Sequence, residues 1–259
     1  MFTIGADPEM FLVDAADSYV SAVHLIGGSK EHPRPLPLGE GFAVQEDNVA
    51  VEYNIPPASN QNELKSYINQ VKDYLAREVG GMGLRLSQHS AALFPENQLK
   101  TKEAQTFGCD PDYNCWTSKR NPRPKAAQAN LRSCGGHVHI GFPFKTKREV
   151  ATFMKYMDLF LAVPSVLMDQ GEMRKELYGK AGAFRFKPYG GEYRTLSNFW
   201  TFEDRYIDWV WESTSKAMFA WQQNQFDIND LQDSIVACIN NNNRNLAKQL
   251  VDHHSLLVV

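Results

Sequence analysis

Residues 135–141, GGHVHIG, set His137 and His139 two positions apart with apolar Val138 and Ile140 between and after them. Side chains alternate faces along a strand, so i and i+2 point the same way and this stretch reads as a half-buried strand with a chemically loaded outward face. Three more segments repeat the device: Asp7 and Glu9 in residues 5–11 (GADPEMF), Glu52 and Asn54 in residues 47–54 (DNVAVEYN), and Glu192 and Arg194 in residues 191–194 (GEYR). Met10, Val51, Tyr53, Val138 and Tyr193 would then face a core.

If the four strands share one sheet, their outward faces gather four acidic groups, two imidazoles, an amide and a guanidinium. So many carboxylates sit together only when cations neutralise them. An oxygen-rich set with one or two histidines suits Mg²⁺ or Mn²⁺. Taken alone, Asp7 with Glu9 reads as a solvated strand face and Glu192 with Arg194 as a cross-strand ion pair; the coincidence of all four carries the argument. Arg194 adds a fixed guanidinium beside a metal carboxylate, the usual partner of a transferring phosphoryl group. Arg185 and Lys187, again two apart, extend the positive strip, so phosphate handling is the second expectation.

Around these segments, apolar alternation predicts strands within residues 2–13, 19–25, 49–55, 84–89 and 132–142. Residues 27–41, rich in Gly and Pro, read as a loop, and so does the long polar stretch 95–130. Asn60 with Glu63 and Thr146 with Glu149 cap two helices, whose inner faces are Leu64, Tyr67, Ile68, Val71 and Leu75, and Val150, Phe153, Met154, Met157 and Leu161. Pro164 is expected to end or kink the second. Residues 184–200 read as a hairpin turning at Tyr189-Gly190-Gly191, and 203–221 and 230–253 as helical. Strands interrupted by single helices, with helices closing the chain, give an α+β domain with a mainly antiparallel sheet.

Composition narrows the classes. Of 259 residues, 27 are Lys or Arg and 30 Asp or Glu, a net charge of −3, which speaks against a nucleic-acid binder. No apolar run reads as long enough for a membrane span, and residues 1–9 lack the basic start of a secretory signal, so a cytoplasmic protein is expected. Cys109, Cys115, Cys134 and Cys238 form no CxxC pair and are expected to be free thiols.

These motifs resemble the glutamine synthetase and glutamate-cysteine ligase superfamily, most closely its phage-type carboxylate-amine ligase branch. Residues 7–12 look like its first acidic strand, 45–57 like its second metal strand, 135–141 like its Gly-Gly-His-x-His strand, and 192–194 like its late Glu-x-Arg strand. Residues 107–114 and 188–200 strengthen the link to the phage-type branch. The resemblance implies one catalytic domain over residues 1–259, its helical C-terminal part about 203–259. It implies a curved antiparallel sheet with helices on the convex side, ATP at one end of the concave groove and acceptor substrate at the other. By the same analogy Glu9 and Glu52 hold one metal and Asp7, His137 and Glu192 a second, while His139, Arg185, Lys187 and Arg194 contact nucleotide or transferring phosphate. Asp7 departs from the family's usual glutamate and shortens the reach by one methylene. Gln45, Glu46 and Asp47 all stand open as the group completing the first site: alternation from Glu52 favours Glu46, whereas a bulge would select Asp47.

The implied reaction is ATP- and Mg²⁺-dependent amide bond formation between a carboxylate, such as a glutamate-like one, and an amine through an acyl phosphate, with Arg194, Glu192 and Glu52 catalytic and two or more ions bound. The substrates would be small molecules or peptides, with no nucleic acid or membrane partner, and a homo-oligomer is compatible. Two other readings remain: a metal-dependent hydrolase of an amide or phosphoester, since HxH with carboxylates also activates water, and a nucleotide-binding relative without chemistry. The basic loops, Lys30, His32 and Arg34, and Lys119, Arg120 and Arg123, are candidates for substrate contact.

Overall fold

A computed structural model describes residues 1–105, 112–122, 124 and 128–259. Cys109, most of the 107–114 phrase, and Arg123 of the second basic loop lie outside the described residues.

The chain begins with β1 (Thr3–Ala6), β2 (Glu9–Val13), β3 (Tyr19–Val20), β4 (Arg34–Pro35), β5 (Ala43–Asp47) and β6 (Ala50–Asn54), followed by α1 (Gln61–Gly80). Next come β7 (Arg85–Ser87), β8 (Ala91–Leu93), α2 (Lys102–Gln105), β9 (Tyr113–Asn114), β10 (Leu131–Ser133) and β11 (Val138–Gly141). Then follow α3 (Lys147–Met157), α4 (Val163–Met168), β12 (Ala183–Lys187), β13 (Gly190–Tyr193), α5 (Asp204–Gln222), α6 (Gln232–Asn240) and α7 (Arg244–His254).

One sheet runs β1-β11-β13-β12-β9 and a second runs β3-β2-β6-β5-β4, with β7 on the other edge of β2. The recorded strand pairs are antiparallel. The expected single strand over 2–13 is two strands belonging to different sheets, because Pro8 has no N–H to donate to a ladder. Bonds across the junction keep the sheets continuous: Glu9 N–H donates to the Gly135 carbonyl at 2.9 Å, Tyr53 N–H to that of Pro8 at 3.1 Å, and Ile55 N–H to that of Ala6 at 3.3 Å. The result is the curved, mainly antiparallel sheet with helices on its convex face that the resemblance implies.

The apolar faces meet as alternation requires. Met10, Val51, Tyr53, Val138 and Tyr193 are fully buried, as are Leu64, Ile68, Val71 and Leu75 of α1. Asn60 accepts from Glu63 N–H and Thr146 from Glu149 N–H, while each glutamate reaches back to the backbone N–H of Ser59 or Lys145. Lys65 of α1 pairs with Asp208 of α5 at 2.8 Å. A smaller apolar cluster of Phe11, Phe94 and Cys134 lies on the Glu9 side of β2.

Several expectations are corrected. The second capped helix does not end at Pro164: residues 158–162 widen into a π-helical turn just before the proline, and the helix continues to Met168. Lys147–Met168 is therefore a 22-residue helix, apolar and long enough to cross a membrane by composition, but 78% of its apolar 18-residue stretch is buried inside the fold. The 132–142 segment is two strands, since Cys134 to His137 turns between the β10–β8 ladder and the main sheet. The hairpin turns at Pro188-Tyr189, with Lys187 opposite Gly190, one residue earlier than expected. Residues 230–253 form two helices divided at Asn241–Asn243, where Asn242 adopts φ +49°.

Candidate functional site

Register sets two rows of side chains on the concave face. In the first sheet Gly5, His139, Glu192 and Arg185 stand side by side across four strands. In the second, Glu9, Glu52 and Gln45 do the same across three. The tripeptide Asp7-Pro8-Glu9 spans the junction, delivering Asp7 to the first row and Glu9 to the second.

Asp7, His137 and Glu192 come together with ligand atoms within 4.8 Å of one another. Asp7 Oδ1 lies 3.1 Å from His137 Nδ1, and its Oδ2 lies 3.0 Å from His139 Nε2. Burial works to raise the Asp7 carboxyl, but the two imidazoles prevail and hold it well below the usual range. Glu192 is fully buried and gripped by three cations: Arg194, Arg185 at 3.3 Å and Lys187 at 2.8 Å. Against burial and the neighbouring Asp7, Arg194 foremost and then the His137 and His139 imidazoles bring its carboxyl down to about 2. Burial and then Arg194 push the His137 imidazole down to about 4. This half of the site carries its own compensating charge.

The other half is compensated less, by Arg194, Lys30 and Arg174 acting from outside the trio. Glu9, Asp47 and Glu52 also converge within 4.8 Å. Burial, then the neighbouring Asp47, raises Glu9 to about 7, and burial with Asp7, Asp47 and Glu9 lifts Glu52 well above the usual range. Asp47 is raised by burial although Arg194 and Lys30 oppose it. A divalent cation would offset the crowding of these three carboxyls, and an all-oxygen donor set of this kind fits a hard ion such as Mg²⁺ or Mn²⁺.

The register also settles which group completes this trio. Gln45 faces Glu52 directly, so regular alternation places Asp47, not Glu46, on its side, and no bulge is involved. Glu46 points to the opposite face and accepts backbone N–H bonds from His24, Ile26 and Gly27 at 2.7–3.1 Å. It thereby pins the start of the loop that carries Lys30 to the cleft. Arg34 of the same loop pairs with Glu78 on α1 and does not line that cleft.

Both clusters open into one cleft of about 500 Å³, with Lys30, Asn54, Arg185, Lys187, Tyr189 and Arg194 among its walls. Gly135 and Gly136 make the approach possible: a Cβ on Gly135 would overlap the His137 imidazole, and one on Gly136 the Ser197 carbonyl and Trp200 indole. Three contributors carry no role from sequence. Tyr189 donates or accepts at 2.5 Å with His139 Nδ1, Asp112 lies 3.6 Å from Arg194 Nε, and buried Arg174 lines a small cavity beside Glu9. The position of Tyr189 at the hairpin tip could have flagged it; the other two follow only from the three-dimensional arrangement.

A family model described as phage phiEco32-like COOH.NH2 ligase-type 2 matches residues 126–225, which include His137, His139, Arg185, Lys187, Glu192 and Arg194. No curated protein matches the chain. Among solved structures, it is similar to a bifunctional glutathione synthetase from Pasteurella multocida, with a TM-score of 0.48 and 11% identity over 98% of this chain and 49% of that one. The chain thus spans about half the length of that protein.

Proposed function

We propose that this chain is an ATP- and Mg²⁺-dependent ligase, a single catalytic domain that joins a carboxylate to an amine through an acyl phosphate. One observation carries the reading: a carboxylate trio short of positive charge, Glu9, Asp47 and Glu52, shares a cleft with a strip of cations, Arg185, Lys187 and Arg194. A metal end and a phosphate end in one cleft suit phosphoryl transfer, where positioning and charge stabilisation do most of the catalysis. The family match over residues 126–225 supports the same chemistry.

Glu9, Asp47 and Glu52 would hold one ion, and Asp7, His137 and Glu192 a second. Such ions neutralise phosphate charge and orient the γ-phosphoryl group. Arg185, Lys187 and Arg194 exchange Glu192 for phosphoryl oxygens, and His139, braced by Tyr189, lies alongside. A substrate carboxylate oxygen attacks the γ-phosphorus and the bond to ADP breaks. The amine nitrogen then attacks the acyl carbon, phosphate leaves, and the nitrogen gives up a proton. Arg194 stabilises charge on the transferring group. The carboxylate is glutamate-like, free or in a peptide.

The test supplies Mg²⁺, ATP and glutamate, with hydroxylamine as the amine, and follows ADP and the hydroxamate that an acyl phosphate yields. ADP release dependent on the carboxylate, with hydroxamate formed, supports the ligase. ATP-independent amide or phosphoester hydrolysis by zinc-containing protein would overturn it.

A further inference from the structure

Asp158 interrupts an apolar run, Met157 before it and Leu159-Phe160-Leu161 after it, and is completely buried. A carboxylate inside such a helix is costly unless donors surround it. It sits in the first position of the π-helical turn of residues 158–162 and accepts three side-chain bonds. Tyr193 hydroxyl donates to Oδ1 at 2.7 Å, Thr195 hydroxyl to the same oxygen at 3.3 Å, and Trp116 Nε1 to Oδ2 at 2.7 Å. Its hydrogen-bond donors among the described residues are neutral.

These partners converge on one guanidinium. Tyr193 and Thr195 flank Arg194, and by strand alternation they point toward the helices while Arg194 points into the cleft. Trp116 belongs to the loop after β9, and Asp112, the carboxylate 3.6 Å from Arg194 Nε, stands just before that strand. That loop is tied to the same strand system: Cys115 N–H donates to the Gly182 carbonyl, and Trp116 N–H to Asn114 Oδ1, beside the Asn114–Ala183 pairing. One carboxylate therefore grips the backbone that carries Arg194 from both sides and the loop one short strand beyond its acidic partner.

We infer that Asp158 is a positioning residue for Arg194, fixing the guanidinium's direction through Tyr193 and Thr195 and its Asp112 partner through Trp116. The consequence for phosphoryl transfer rests on the ligase reading above; the positioning itself does not.

The experiment uses full-length ¹⁵N-labelled protein and follows the Arg194 Nε–H resonance, assigned by its loss in Arg194→Lys. Asp158→Asn keeps the size but cannot serve all three donors as a carboxylate does. The expected result is a displaced Arg194 resonance with that of buried Arg132 unmoved. An unmoved Arg194 resonance in folded Asp158→Asn overturns the inference. Should that variant fail to fold, Trp116→Phe removes one donor and keeps a ring; a smaller displacement supports the inference and none overturns it. Calorimetry with Mg²⁺ and the β,γ-imido analogue of ATP reads the consequence. Asp158→Asn is expected to weaken binding about tenfold, the scale of one charge-assisted bond, and to add nothing in an Arg194→Ala background. A displaced resonance with unchanged nucleotide affinity upholds the positioning and overturns the assignment of Arg194 to phosphate. Equal weakening in both backgrounds overturns the positioning.

Discussion

Glu9 and Glu52 stand directly opposite each other across the β2–β6 ladder, two acids at a pairing position where like charges are destabilising. The sheet tolerates them because their carboxyls are held raised, Glu9 at about 7. An ion taken up by the folded state alone, at a concentration 100 times its dissociation constant, adds about 2.7 kcal/mol of stability. Mg²⁺ or Mn²⁺ is therefore expected to raise the melting temperature of the wild type. Glu52→Gln should melt higher than the wild type without metal and show a reduced metal response, that of the Asp7, His137 and Glu192 cluster alone; a Glu52→Gln variant that still responds fully would refute the site.

Glu192→Gln is expected to abolish ligation and also to cost stability. The fully buried Glu192 carboxylate answers Arg185, Lys187 and Arg194, and removing one partner of a buried ionic group costs about 3–5 kcal/mol. Chemical denaturation beside the turnover assay separates the two effects.

Asp158 gives a pH dependence with a defined sign. Burial, working against its hydrogen bonds, raises the carboxyl from 3.8 to about 6. Between those values the folded chain keeps a proton that the unfolded chain has released, so stability from this group is full below the lower value and falls as pH rises through the upper one. The two-unit shift corresponds to about 3 kcal/mol. Denaturation at pH 3.5 and pH 6.5 should show Asp158→Asn gaining about that much relative to wild type as pH rises; a constant difference would contradict it.

Gly136→Ala is expected to destabilise by about 1–3 kcal/mol, the usual penalty for an overpacked core, because its Cβ would meet the Ser197 carbonyl and Trp200 indole. Thermal melting checks this.

Glu46→Ala is expected to loosen residues 24–27, which it holds by three backbone bonds. The variant should be cut faster by protease in that loop and show a raised substrate KM, with metal affinity kept because Glu46 faces away from the trio.

Period-two alternation was enough to place Met10, Val51, Tyr53, Val138 and Tyr193 in the core and to set Glu52, His137, His139 and Glu192 on the opposite face. Alternation from Glu52 points to Glu46 and admits Asp47 only through a bulge; the Gln45–Glu52 pairing across the β5–β6 turn is what puts Asp47 on the Glu52 side. Pro8 was visible, but its effect on sheet membership depends on what lies beside it. Asp158 sits in an apolar helical pattern, and a residue type says nothing of the distant donors that make its burial tolerable. Asp112 meets Arg194 through a loop whose path has no periodicity to read.

The junction at Asp7-Pro8-Glu9 acts as a ruler. Two peptide units span at most about 7 Å between the Cα atoms of Asp7 and Glu9, and proline stiffens the span by holding its own φ. The two acidic clusters are thus spaced by covalent length, independent of how well the helices pack behind them. Side-chain losses in the helical layer would lower stability long before they changed the distance between the clusters, whereas one residue inserted beside Pro8 would break the arrangement in a protein that still folds.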